Sequence, residues 1–180
     1  SDESARRRGG VRHSTDEVLT SVGAKHTLFN LAMALFEPGD EVIIPAPFWV
    51  SYPAQVRLCG ADPIIVAPDE EAGFRLTPDT LKAALSPRTK VLILCSPSNP
   101  TGAAYSPDEL LVLADVLRGH DCWIIVDEIY GQLVYDGFDQ RSLLELAPDL
   151  RDRLIVVDGV SKTYAMTGWR IGWCPGPERV

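Results

Sequence analysis

Lys162 and Arg170 close one short stretch, Ser161-Lys-Thr-Tyr-Ala-Met-Thr-Gly-Trp-Arg-Ile-Gly172, and they are the residues there best suited to chemistry. The apolar, β-branched run Leu154–Val157 precedes them and reads as a buried strand of a parallel sheet. Lys162 would then leave the sheet just past a strand's carboxyl end, where open α/β sheets bind ligands. A partly desolvated lysine with cationic neighbours gives up its proton more easily and can act as a Schiff-base nucleophile toward an aldehyde. Arg170 offers a bidentate clamp for an anion such as phosphate.

Polar residues that follow other apolar runs extend the pattern. Gly23-Ala24-Lys25 follows Val18–Val22 and would open a helix whose free N–H groups and positive dipole end suit a phosphate. Asp127 follows Trp123–Val126, and a carboxylate at a buried strand end needs a cation or a shifted pKa. A protonated pyridine nitrogen would satisfy it, and capping a helix that begins at Glu128 is the alternative reading. Tyr130 and Asn99 can hydrogen-bond a phenolic oxygen, and Trp49 can stack on a ring. With Lys162, these groups describe a site for pyridoxal phosphate. The fingerprints of dinucleotide-binding and P-loop proteins do not occur after any of the strands.

Strands are expected at 18–22, 41–45, 63–67, 90–95, 123–126 and 154–157, with 171–174 a further strand of undetermined direction. Helical segments separate them. Leu28, Leu31, Ala32 and Leu35 share one helix face, and another helix runs from the Pro47–Pro53 segment to near Gly60. Thr77-Pro-Asp-Thr80 and Ser106-Pro-Asp-Glu109 carry the capping residue and first-turn proline of helix starts. A short helix is expected near 143–147, and residues 1–10 read as a helix tail closed by Gly9-Gly10. This alternation predicts a three-layer α/β/α fold with a mainly parallel sheet, forming one domain. In such a sheet the carboxyl ends line one edge, so residues distant in sequence converge.

Composition bounds the functional classes. The chain of 180 residues is 46% hydrophobic and 23% charged, as expected of a globular domain. A net charge of -8 argues against a nucleic-acid surface, and Arg6-Arg7-Arg8 is too short a run to reverse that. No apolar run approaches membrane-spanning length and no signal region opens the chain, so a cytoplasmic protein without membrane contact is expected. Cys59, Cys95, Cys122 and Cys174 and the scattered histidines show no metal-ligand spacing, so no metal is expected.

The motifs Pro45-Ala-Pro-Phe-Trp-Val-Ser-Tyr-Pro53, Ser96-Pro-Ser-Asn-Pro-Thr-Gly102, Asp127-Glu-Ile-Tyr130 and Ser161–Gly172 resemble those of fold type I pyridoxal phosphate enzymes. More narrowly they resemble the class I/II aminotransferases, in particular the bacterial aspartate aminotransferase branch. The resemblance implies Lys162 as the Schiff-base lysine and proton carrier, with Asp127 on the pyridine nitrogen. It implies Tyr130 and Asn99 on the ring oxygen, Trp49 on the ring face, and Gly23, Ala24, Lys25 and Arg170 around the phosphate. Trp49 and Asn99 would also meet the substrate. It implies a homodimer and ping-pong transfer of an amino group between an amino acid and a 2-keto acid. Such relatives are longer, so residues 1–180 are expected to be most of the large domain, without the small and C-terminal parts and inactive alone. Gly159 and Asp158 depart from the family's usual serine and asparagine. The same site could instead serve a β-lyase or cyclising synthase, or a cofactor-sensing effector domain of a transcription regulator.

Overall fold

The computed structural model describes residues 11–68 and 72–180. The expected helix tail at 1–10, with its arginine run, lies outside the described residues. The strands are β1 Val18–Ser21, β2 Glu41–Pro45, β3 Asp62–Val66, β4 Thr89–Cys95, β5 Trp123–Asp127, β6 Leu154–Gly159 and β7 Gly172–Pro175. The α-helices are α1 Ala24–Leu35, α2 Ser51–Leu58, α3 Pro78–Ala84, α4 Pro107–Arg118, α5 Leu143–Leu146 and α6 Val160–Thr163.

Strict alternation along the central strands sends side chains to two cores. Leu92, Leu94, Ile124, Val126, Leu154 and Val156 meet Leu81 of α3, Leu110, Leu113 and Leu117 of α4, and Leu143 of α5. Val91, Ile93, Ile125, Ile155 and Val157 meet Leu28, Leu31 and Leu35 of α1 and Tyr52 and Val56 of α2. Helices therefore cover both faces, as expected for a three-layer α/β/α architecture. Each fully buried leucine contributes roughly 1.5–3 kcal/mol. Helix caps contribute about 1 kcal/mol each, so packing dominates and caps set the boundaries. The capping box at Ser106 and Glu109 forms as its sequence suggests, with N–H donors reaching Glu109 Oε2 at 2.8 Å and Ser106 Oγ at 3.3 Å. Thr77 and Thr80 form the equivalent box at the start of α3.

The seven described strands run in the order β1-β7-β6-β5-β4-β2-β3. Pairs among β2 to β6 are parallel, whereas β7 is antiparallel to both β6 and β1. Two reversals cancel, so β1 points the same way as β6 and β7 alone runs backward. The direction left undetermined for 171–174 is thereby antiparallel. Six carboxyl ends and the amino end of β7 share one edge, and the register aligns Ser21, Gly172 and Gly159 in a row there. Arg170 reaches that edge because it precedes a reversed strand.

Close packing reinforces the row. A Cβ on Gly172 would overlap the backbone of Gly23 and Ala24, so β7 lies directly against the start of α1. A Cβ on Gly159 would stand 2.7 Å from the Ile171 carbonyl oxygen, so β6 and the start of β7 approach closely there. The neighbouring Asp158 is buried and accepts a hydrogen bond from the Gly159 N–H. No described helix is long and apolar enough to cross a membrane.

Candidate active site

At the β1 and β7 end of the edge, Gly23 caps α1 with φ 85° and ψ 158°, and no acidic residue occupies the first turn of that helix. A Cβ on Gly23 would overlap the Arg170 guanidinium, so the arginine lies against the helix start. Arg170 adopts a left-handed backbone, φ 52° and ψ 52°, which costs a non-glycine residue roughly 1–2 kcal/mol. Its Nη1 donates to the Thr167 carbonyl at 2.8 Å and to Ser161 Oγ at 3.5 Å, directing it across the β6 loop. A guanidinium, a helix amino end and a serine hydroxyl thus converge, a donor set suited to an oxyanion.

Lys162 sits in the short helix α6 directly after β6, with Nζ 5.4 Å from the Tyr130 ring centroid. Its side chain is exposed, which corrects the expectation of a partly desolvated amine at this position in the described chain. The lysine is therefore placed by strand register and not by burial. Tyr130 follows β5 and is half-buried.

Asp127 is the last residue of β5 and only 4% exposed. Burial raises its pKa, while hydrogen bonds from Tyr52 and from the Ile129 N–H oppose that shift. Tyr52 donates to Oδ2 at 2.7 Å and Ile129 N–H to Oδ1 at 3.1 Å. Residues after Glu128 form a turn, so the helix-capping alternative does not hold and the Ile129 bond closes a local turn instead. Among the described residues no lysine or arginine forms an ion pair with Asp127. A carboxylate so buried is suited to a cationic ligand.

Trp49 ends the loop after β2 and meets the Tyr52 ring edge-on, with centroids 5.4 Å apart and planes at 86°. Lys25 Nζ lies 5.0 Å from the Trp49 centroid, which joins the α1 start to this aromatic pair. Asn99 is half-buried in the loop after β4, whose turn is closed by the Gly102 N–H bond to the Ser98 carbonyl at 2.8 Å. Cys95 pairs with Asp127 in the β4–β5 register. Burial first, and the Asp127 carboxylate second, push its thiol up to about 12.

All the residues singled out from the sequence therefore lie at one sheet edge. Tyr52 belongs to the Pro45–Pro53 motif, and its sequence context alone assigns it no role. The missed signal is a polar hydroxyl at the start of a helix that packs over the sheet, which becomes meaningful only once Asp127 is seen beneath it.

The family model described as aminotransferase class I and II matches residues 3–180. An aspartate aminotransferase of Rhizobium meliloti (strain 1021) is 48% identical over 179 residues, covering 99% of this chain and 44% of that protein. An aspartate/prephenate aminotransferase of Cereibacter sphaeroides is 49% identical over 176 residues, 97% of this chain and 44% of the relative. The crystal structure of the Rhizobium meliloti aspartate aminotransferase superposes with a TM-score of 0.95 at 47% identity, covering 99% of this chain and 45% of that one. The chain thus spans less than half the length of these relatives.

Proposed function

The chain belongs to the class I and II aminotransferases, and on that footing we propose that the protein containing it transfers an amino group between an amino acid and a 2-keto acid. The observation that carries this reading is the convergence of buried Asp127, Lys162 and the Arg170–Gly23 cradle on one sheet edge. Pyridoxal phosphate is the cofactor of the family, and the residues present fit it: a buried carboxyl group with no ion-pair partner among the described residues, an oxyanion cradle and an amine share one edge.

Gly23, Ala24, Lys25 and Arg170 would hold the phosphate. Asp127 would face the ring nitrogen, Tyr130 and Asn99 the ring oxygen, and Trp49 a ring face. The bound cofactor supplies an electron sink for the substrate carbon that loses its proton. Asp127 would keep a proton on the ring nitrogen by placing negative charge beside it. Lys162 Nζ would bond the cofactor between turnovers and, once released by the incoming amine, carry the substrate proton. Trp49 and Asn99 would also orient the substrate.

Relatives named as aspartate aminotransferases make aspartate the amino donor to test first. In this reading residues 1–180 are one domain, most of the cofactor-binding large domain of a cytoplasmic homodimer. The single-domain part of this reading is supported by one continuous sheet with helices on both faces among the described residues. The test is borohydride reduction of the full-length protein loaded with pyridoxal phosphate, then peptide mapping and an assay of keto acid formed from aspartate. The adduct is expected on Lys162. An adduct on Lys25, Lys82 or Lys90 would refute the assignment.

A further inference from the structure

We propose that Tyr52 is a positioning residue for Asp127: its hydroxyl anchors Oδ2 and favours the charged carboxylate, so that a cationic ring nitrogen meets a fixed, ionised partner. The inference rests on the cofactor reading above, but its observations concern this chain alone. Tyr52 lies in the first turn of α2 and is 2% exposed, with its hydroxyl 2.7 Å from Asp127 Oδ2. The two residues are 75 positions apart in sequence, so the contact is made only by folding.

The direction of the bond is settled by chemistry. Burial, and then the adjacent carboxylate, hold the Tyr52 phenol well above its ordinary range, so it stays protonated and donates. A donor to an ionised acceptor makes roughly twice as strong a hydrogen bond as a neutral pair, and it favours the charged form of the acid. Because Ile129 N–H holds Oδ1 as well, both carboxylate oxygens are pinned and the side chain has one orientation.

Tyr52 is itself held by Trp49, whose ring it meets edge-on. The residue expected on the cofactor's face is thereby joined to the one expected on its nitrogen through a single buried phenol. Among the described residues, the titratable groups facing Asp127 are Tyr52 from α2 and Cys95 from β4, while its β6 partner in the register is Val157. Cys95 directs its thiol to the Pro97 carbonyl at 3.4 Å and leaves Tyr52 as the side-chain donor.

The test compares Tyr52→Phe with wild type in the full-length protein, reading the pyridoxal phosphate dissociation constant as a function of pH. Loss of the donor that favours the ionised carboxylate should weaken binding by up to about 10-fold. The acid limb of binding should also move upward by about one pH unit, because Asp127 then protonates more readily. In an Asp127→Asn background, Tyr52→Phe should leave both readings nearly unchanged, since the charge it acts on is gone. A fluorinated tyrosine at position 52 keeps the ring volume and strengthens the donor, so it should move the acid limb downward and serves if the phenylalanine variant folds poorly. An acid limb that moves in neither variant, or an equal loss of affinity with and without Asp127, would reduce Tyr52 to packing and overturn the inference. Wild-type protein that takes up no pyridoxal phosphate would overturn the proposed function, and this inference with it.

Discussion

Replacing Gly23 with alanine should damage phosphate binding far more than it damages the fold. Gly23 has φ 85° and ψ 158°, a region open in practice to glycine alone, so alanine there carries a strain of roughly 1–3 kcal/mol. The new methyl would also overlap the Arg170 guanidinium. Because the Arg170 side chain is exposed and can swing aside, the overlap adds little to the stability loss. It acts on binding instead: a guanidinium turned away from the helix start removes a charge-assisted hydrogen bond of about 1.5–3 kcal/mol. That corresponds to about a 10- to 150-fold rise in the dissociation constant. Gly39 is the internal control, with φ 96° and nothing within 4 Å of an added Cβ. Both variants would be made in the full-length protein, with stability read from urea unfolding and pyridoxal phosphate affinity from fluorescence titration. Similar stability losses are expected, with weakened binding in Gly23→Ala alone. An Arg170→Ala background should abolish most of the binding difference, since the displaced group is already gone. If Gly23→Ala binds as tightly as Gly39→Ala, the helix start and Arg170 do not form a shared cradle.

Two further outcomes follow from the same geometry. Burial raises the folded-state pKa of Asp127, so below the unfolded value both states are protonated and no cost arises. As pH rises past that value the unfolded chain releases its proton first, and the cofactor-free fold loses stability until its own pKa is passed. Asp127→Asn should remove this slope, so its stability relative to wild type grows from acid toward neutral pH in urea titrations of the cofactor-free protein. A flat difference would show that the carboxylate is not held against its charge. Ser106→Ala should cost about 1 kcal/mol in urea unfolding, because it leaves the Glu109 N–H without its capping oxygen at the start of α4. Cofactor affinity should not change.

Much of this protein is local and therefore legible in its sequence. Strand runs such as Glu41–Pro45 and the caps at Thr77 and Ser106 depend on residues within a few positions of each other, and they form as their spacing suggests. Alternation of such runs with helical segments sufficed for a three-layer fold. The carboxyl-edge rule then placed Lys162, Asp127 and Asn99 together, because parallel strands share a direction. Three features needed the tertiary structure. The reversal of β7 depends on pairing with β1 and β6, and only that reversal brings Arg170 to the edge. The exposure of Lys162 is a property of what covers it, on which its neighbours in sequence are silent. The bond from Tyr52 to Asp127 joins a helix to a strand through a buried gap, and no periodicity encodes a contact between residues so far apart in the chain. Sequence by itself determined which elements form and which residues could do chemistry. Packing decided their partners, because burial and strand pairing are set by the whole chain at once.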